Sequence, residues 1–90
     1  MACDWDPLKR KNNLLKHGVD FALACRIFKG PTVEAEDTRR DWGETRMAAY
    51  GEAEGQVLFV VYTWRRGVRR LISARKAGAD ERRAYFNAIR

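Results

Sequence analysis

The sequence has few residues that bind metals or carry redox chemistry. It contains two cysteines and a single histidine. Cys3 and Cys25 lack the CxxC spacing of a zinc or redox site, and one histidine leaves a protein-only tetrahedral site in need of carboxylates. We therefore expect no metal and no other cofactor. We also expect two reduced thiols, with Cys25 packed as a small apolar residue.

Long apolar stretches are also missing. The longest purely apolar run, Val57 to Tyr62, is far shorter than the roughly 20 residues that cross a bilayer. The first residues, Met1 to Asp6, carry acids where a secretory signal has a basic start and an apolar stretch. These features predict a cytoplasmic protein with no membrane partner. A length of 90 residues without linker or repeat predicts one domain over residues 1–90.

Positive charge is concentrated in the last third of the chain. The formal net charge of +6 divides into +3 over residues 1–29, −4 over 30–60 and +7 over 61–90. Eight of the nine bases in the last segment are arginine, whose planar fork binds phosphate in bidentate fashion and stacks on bases. This pattern favours a nucleic-acid-binding protein over a solvated basic surface or a surface for an acidic protein partner.

Capping residues and periodicity predict an α+β fold. Asp6-Pro7 begins a helix that runs to His17 and ends at Gly18, and Asp20 caps a second helix from Phe21 to about Phe28. The fold then has two N-terminal helices, an antiparallel meander sheet of three to four strands with the 56–63 strand in its centre, and one C-terminal helix. The predicted strands and the last helix are residues 32–38, 46–51, 56–63, 68–74 and 78–89.

Two groups of residues resemble the signatures of a known family, the BrnT toxins of bacterial type II toxin–antitoxin systems, and the resemblance runs nearly end to end. The opening signature is carried by Asp4-Trp5-Asp6-Pro7, Lys9, Asn13, Lys16-His17-Gly18-Val19 and Phe21. The family's closing signature is resembled by a second set of residues: Val60-Val61-Tyr62-Thr63, Ile72-Ser73-Ala74-Arg75, Ala77, Glu81-Arg82 and Tyr85.

The resemblance implies a RelE-like fold and a metal-independent endoribonuclease that arrests growth. It also implies neutralisation by a BrnA-type antitoxin with a ribbon-helix-helix part, in a toxin–antitoxin heterotetramer that reaches operator DNA only through the antitoxin. The alternatives are a non-catalytic basic nucleic-acid-binding module and a domain that recognises acidic proteins. Composition fits each of the three.

Cleavage of RNA without a metal requires a deprotonated 2′-hydroxyl, a stabilised phosphorane and a protonated leaving oxygen. Arginine can stabilise the phosphorane, and we favour Arg75 and Arg70 as the catalytic phosphate ligands. In a regular strand residues five apart point to opposite faces, so both serve one site only if a bulge or the strand end re-aims one of them.

The proton transfers have several candidates. Histidine is the side-chain type that ordinarily titrates near neutrality, which makes His17 a candidate, but at a helix C-terminus it is also suited to interact with the helix carbonyls. Lys16 is a second candidate, with a solvated surface position as its alternative. Tyr85 is suited either to catalysis beside arginines or to packing with its hydroxyl at the rim. Glu81 enters with low weight, because a cap or an arginine pair explains it equally well.

The remaining bases of the last third are predicted to bind RNA electrostatically, while Arg46 is expected to pair with the acidic middle segment. The predicted RNA-binding residues are Arg65, Arg66, Arg69, Lys76, Arg82 and Arg83.

Overall fold

The computed structural model describes residues 2–90 and consists of a five-stranded mixed sheet with three α-helices. The strand order is β1-β5-β4-β3-β2, so β4 is the central strand, as predicted. In chain order the elements are β1 (Cys3–Asp4), α1 (Pro7–His17), α2 (Phe21–Ala24), a 3₁₀ helix (Cys25–Lys29), β2 (Thr32–Glu36), β3 (Met47–Ala53), β4 (Gln56–Arg65), β5 (Val68–Lys76) and α3 (Ala79–Ile89).

The predicted fold, with two N-terminal helices and a RelE-like antiparallel meander of three to four strands, is wrong in two respects. The sheet has five strands rather than three to four and is mixed, because β1 pairs in parallel with β5 through Cys3–Arg69 and Asp4–Arg70. The second helix has one α-helical turn and continues as a 3₁₀ helix. A two-residue strand has no alternation to detect, and its partner lies far away in the chain.

The first helix has the predicted bounds, but it docks in an unexpected way. The Asp6 carboxylate accepts a hydrogen bond from the Leu8 N–H at 2.8 Å, and Gly18 ends the helix in a left-handed conformation with φ 70°. The apolar side chains Leu8, Leu14 and Leu15 are all exposed, and the buried residue of this helix is Asn13. A polar contact therefore fixes α1 against the sheet.

The side chain of Asn13 acts as a short substitute for a sheet strand. Its amide nitrogen donates to the carbonyl oxygens of Val19 and Ala74, both at 2.9 Å, and its oxygen accepts from the Ala74 N–H at 3.0 Å. Beyond the end of β1, β5 would otherwise present unpaired backbone groups at this edge. The amide satisfies them and anchors α1 alongside β5.

The hydrophobic core lies between one face of the sheet and the segment formed by α2 and the 3₁₀ helix. We call this side of the sheet the helix face. Phe21 and Ile27 are fully buried against its side chains, which include Leu58 and Val60. The opposite face of β4 carries Phe59, Val61 and Thr63, and we call it the groove face. The helix α3 packs beside β2, and none of the helices in residues 2–90 is long and apolar enough to cross a membrane.

A β-bulge in β5 changes the direction of its arginines. Val61 pairs with Ser73 but Tyr62 pairs with Leu71, so Ile72 is the extra residue. As a result Arg70 is opposite Thr63 and Arg75 is opposite Phe59. Both arginines therefore project from the groove face. In a regular strand they would point to opposite faces, and a bulge is one of the two irregularities predicted from the sequence as able to bring them to one side.

The two cysteines form a disulfide, so the expectation of two reduced thiols is wrong. Cys3 and Cys25 lie with their Cα atoms 6.2 Å apart although they are separated by 22 positions in sequence. The pairing of β1 with β5 places Cys3 above the 3₁₀ helix that begins with Cys25. This bond ties the N-terminal strand to the core.

Candidate nucleic-acid interface

A recess of about 170 Å³ opens on the groove face near the end of β4. The α1 helix contributes one wall, the loop before β3 contributes another, and the bulged part of β5 forms the floor. Its cationic residues come from all of these elements and from β4: Lys9, Arg46, Arg65 and Arg70.

A second recess of about 220 Å³ adjoins the first and shares Lys9 and Ile72 with it. Lys16 and His17 line it together with Ser73 of β5. The two recesses lie side by side between α1 and the sheet, and we call them together the basic groove. Two of the predicted proton-transfer residues and two of the predicted arginines thus lie along the same groove.

The cations of the basic groove are only loosely paired. Glu44 lies 3.5 Å from Arg46 and 3.7 Å from Arg65, and Asp4 lies 3.4 Å from Arg70. Arg46 packs on the Trp42 ring at 4.1 Å, and its buried Nε has no hydrogen-bond partner in the described chain. The long contacts of Arg65 and Arg70 leave guanidinium N–H groups available to an incoming phosphate, while Arg46 is the most buried of the three.

Arg75 lies farther along the groove face and is fully engaged. Its two terminal nitrogens donate to the two carboxylate oxygens of Glu81 at 2.8 and 2.9 Å, and its guanidinium lies 4.5 Å above the Phe59 ring. The Tyr50 hydroxyl donates to the same carboxylate. The N–H of Gly78 donates to it as well, at 2.8 Å, so Glu81 both caps α3 and pairs with an arginine.

These contacts set the protonation of the cluster. Hydrogen bonds from Arg75, then from Gly78 and Tyr50, hold the pKa of Glu81 well below its usual range. Burial and the neighbouring Glu81 carboxylate raise the pKa of the Tyr50 phenol. Glu81 is therefore a weak proton acceptor, and the two terminal nitrogens of Arg75 must leave it before they can bind a phosphate end-on as a pair.

Tyr85 does not line the basic groove. Its side chain is buried and its hydroxyl donates to the carbonyl oxygen of Pro31 at 2.7 Å. Burial, with a smaller contribution from Glu52, raises the pKa of this phenol. The position favours packing of α3 against the sheet over proton transfer.

The other predicted RNA-binding residues are dispersed. Arg69 lies on the helix face, because it is opposite Trp64 rather than Thr63. Arg66 is at the tip of the β4–β5 hairpin, and Arg83 pairs with Asp80 at 3.1 Å on the exposed side of α3. Arg82 and Lys76 are also exposed and do not line the basic groove.

Lys9 and Arg46 of the basic groove, and Tyr50 beside the Arg75–Glu81 pair, were not among the predicted site residues. Lys9 and Lys16 are seven positions apart on α1, which places them on one helix face, so their joint position was detectable. Arg46 was assigned to an ion pair, but it also lines the basic groove. Tyr50 gave no signal, because its role depends on the packing of α3 over β3.

Among residues 2–90, no group of three His, Cys, Asp or Glu side chains is placed to hold a metal ion. The basic groove brings cations, an imidazole and hydroxyls together along the sheet, which are side-chain types that can contact phosphates. A family model described as the ribonuclease toxin BrnT of type II toxin–antitoxin systems matches residues 5–81. The chain belongs to this family of toxins, whose substrate is RNA and whose partner is a protein antitoxin. A comparison with individual curated proteins gives no match.

Proposed function

We propose that the basic groove binds single-stranded RNA and cleaves it without a metal, by attack of a 2′-hydroxyl on the adjacent phosphate. The observation that carries this proposal is the convergence of Lys9, Arg46, Arg65 and Arg70 on one recess, with Lys16 and His17 in the adjoining one. A cleft of one sign with donors from several elements concentrates field on a phosphate.

In this reaction the 2′-oxygen bonds to phosphorus and the bond to the 5′-oxygen of the next nucleotide breaks. The products are a 2′,3′-cyclic phosphate and a free 5′-hydroxyl, and water later opens the cycle to a 3′-phosphate. One base removes the 2′-proton and one acid protonates the leaving oxygen, so no oxidant or metal is needed.

Arg70 is the best-placed arginine for the developing phosphorane. It lies in the recess and its contact to Asp4 is long, whereas both terminal nitrogens of Arg75 are held by Glu81. Arg65, Arg46 and Lys9 hold the neighbouring phosphates. His17 and Lys16 are the proposed proton-transfer groups, because they are the titratable bases that line the adjoining recess without also lining the phosphate-binding one.

The proposed partner is a BrnA-type antitoxin with a ribbon-helix-helix part, which covers the basic groove with acidic residues. Charge complementarity supports this, since four cations line one recess beside only two carboxylates, Asp6 and Glu44. The proposed assembly is a heterotetramer that contacts operator DNA through the antitoxin. The proposed site of action is the cytoplasm, where the RNA is.

The test is incubation of the purified chain with single-stranded RNA in EDTA, followed by analysis of the ends. Cyclic-phosphate or 3′-phosphate ends are expected, and Arg70→Gln should lower the cleavage rate about 100-fold or more. The matched control is Arg83→Gln, which removes the same charge from the exposed side of α3 and should cleave normally.

Binding of RNA without cleavage would instead identify a non-catalytic nucleic-acid-binding module. Affinity that does not fall with salt would contradict both RNA interpretations, because phosphate contacts release counterions. Growth arrest on expression, relieved by co-expression of the antitoxin, tests the toxin role independently of the chemistry.

A further inference from the structure

An aromatic and guanidinium stack lies on the helix face, at the end of the β4–β5 hairpin and outside the basic groove. The Arg69 guanidinium lies 4.0 Å from the ring centroid of Phe28 and 4.6 Å from that of Trp64. Trp64 is 51% exposed. Arg69 lies against the indole, and the exposed half of the Trp64 side chain is open to solvent.

Aromatic rings contact the Arg69 guanidinium directly, and the Glu34 carboxylate is bound to the stack through the Tyr62 hydroxyl. Arg69 forms no ion pair with any residue from 2 to 90, and its buried Nε has no hydrogen-bond partner there. A guanidinium against an indole is attracted to the ring face and keeps its positive charge there. An electron-rich flat group with nearby negative charge fits the open side of Trp64.

The stack is rigid before anything binds. The buried Tyr62 ring meets both Phe28 and Trp64 edge-on, at 5.3 and 5.6 Å, and its hydroxyl donates to Glu34. Trp64 is therefore supported by a β-strand, a guanidinium and a second aromatic ring. A ring that is already fixed loses little conformational entropy when a ligand stacks on it.

The flanking residues indicate what the ligand is. Arg65, the next residue, projects into the basic groove, and Arg66 follows at the exposed hairpin tip. A nucleic-acid strand in the groove with a phosphate at Arg65 can continue around the strand end to Trp64. Protein interfaces also use tryptophan and arginine, and it is the continuity with the cationic recess through Arg65 that favours a nucleic-acid strand.

We propose that Trp64 is the stacking platform for one unpaired base of the RNA strand, next to the phosphate held by Arg65. This inference rests on the proposed RNA binding in the basic groove and adds a base-contacting site to it. Stacking on an indole accepts any of the four bases, so the site contributes affinity and strand position rather than sequence selectivity.

The experiment measures binding of a short single-stranded oligonucleotide with 2′-O-methyl riboses, which lack the attacking hydroxyl. Trp64→Leu keeps an apolar side chain but removes the π-face, and it should weaken binding about 5- to 100-fold. Trp64→Phe keeps a smaller ring and should recover part of the loss. Phe86→Leu is the control, since Phe86 is an exposed aromatic residue on α3.

Two further measurements distinguish base stacking on Trp64 from charge contacts to phosphates. With an abasic oligonucleotide of the same length, Trp64→Leu should bind as the unaltered protein does. Its salt dependence should be unchanged with the normal oligonucleotide, whereas Arg70→Gln should lower the slope of log K against log salt by about 0.7. RNA should also quench the fluorescence component that Trp64→Phe removes.

Equal weakening by Trp64→Leu with the abasic and the normal oligonucleotide would overturn stacking. Unchanged RNA affinity in Trp64→Leu would also overturn it, while an effect of Arg70→Gln would leave the groove proposal standing. If Trp64→Leu weakens only the antitoxin complex, the platform is a protein contact and the proposal fails. If neither variant changes RNA binding, the proposed function fails first.

Discussion

Arg70 and Arg75 project from the same face of β5 although they are five positions apart in sequence. The bulge at Ile72 reverses the alternation between them. The two arginines nevertheless differ in state, because Glu81 occupies the fork of Arg75 while Arg70 opens into the recess. The bulge thus extends the cationic surface of the groove face. The helix α3 covers part of this surface by pairing Glu81 with Arg75.

The planar, bidentate guanidinium of Arg70 should matter more for the cleavage rate than its positive charge alone. Arg70→Lys keeps a cation in the recess but removes the planar, bidentate donor set. We expect RNA affinity within about threefold of the unaltered protein and a cleavage rate lower by about 10- to 100-fold. Single-turnover cleavage in EDTA measures the rate, and Arg83→Lys serves as control. A rate equal to that of the unaltered protein would exclude Arg70 from the chemical step.

The Arg75–Glu81 pair should make stability depend on acid pH. Because the folded pKa of Glu81 is lowered, its contribution is present above the unfolded pKa of about 4.3 and is lost as pH falls towards the folded value. For this partly exposed pair, Glu81→Gln should cost about 1–2 kcal/mol at pH 7 and much less at pH 3. Urea unfolding at both pH values measures this.

The control for the acid effect is Asp80→Asn, which removes a charge in the same helical turn without touching Arg75. Its difference from the unaltered protein should be smaller at pH 7. A constant difference between Glu81→Gln and the unaltered protein from pH 7 to pH 3 would contradict the assignment.

Asn13 should be essential for stability although it is polar. Asn13→Leu leaves the N–H and the carbonyl of Ala74 buried without their partner, and we expect a loss of about 2–4 kcal/mol. Asn12→Leu, at the exposed neighbouring position, is the control and should stay within about 0.5 kcal/mol. Equal denaturation midpoints for the two variants would show that the edge contact is dispensable.

Gly51 is required by close packing rather than by backbone conformation. A Cβ at this buried position of β3 would lie 2.7 Å from the Cβ of Ile27. Ile27 is fully buried, and its Cβ is attached directly to the backbone, so it cannot move aside as the end of a flexible side chain could. Gly51→Ala should therefore destabilise the fold by about 1–3 kcal/mol. Gly30→Ala, where nothing lies within 4 Å of the added atom, should be nearly neutral in the same thermal unfolding measurement.

The Cys3–Cys25 bond should respond to reductant. Opening a loop closed over 22 positions should lower the free energy of unfolding by about 3 kcal/mol. Thermal unfolding with and without dithiothreitol measures the change, and Cys3→Ser should be insensitive to the reagent. A melting temperature that does not move on reduction would mean that strand pairing and packing alone hold β1.

Local signals in the sequence determined most of the secondary structure. The bounds of α1 follow from the Asp6 cap and the left-handed Gly18, and the β4 strand follows from a continuous apolar run. The excess of arginine in the last third also indicated a partner with phosphates, in agreement with the ribonuclease family. Each of these features depends on residues close together in the chain.

The tertiary structure alone decided which of those arginines lie in the groove. The bulge at Ile72, the parallel pairing of Cys3 with Arg69 and the closure of Arg75 by Glu81 all depend on contacts between segments that are remote in sequence or packed from another element. Side-chain direction in a strand alternates with register, so one extra residue reverses every arginine beyond it. The sequence gives the number of positive charges in this segment. The strand register determines which face of the sheet carries each arginine, and the packing of α3 determines which arginines are paired with a carboxylate.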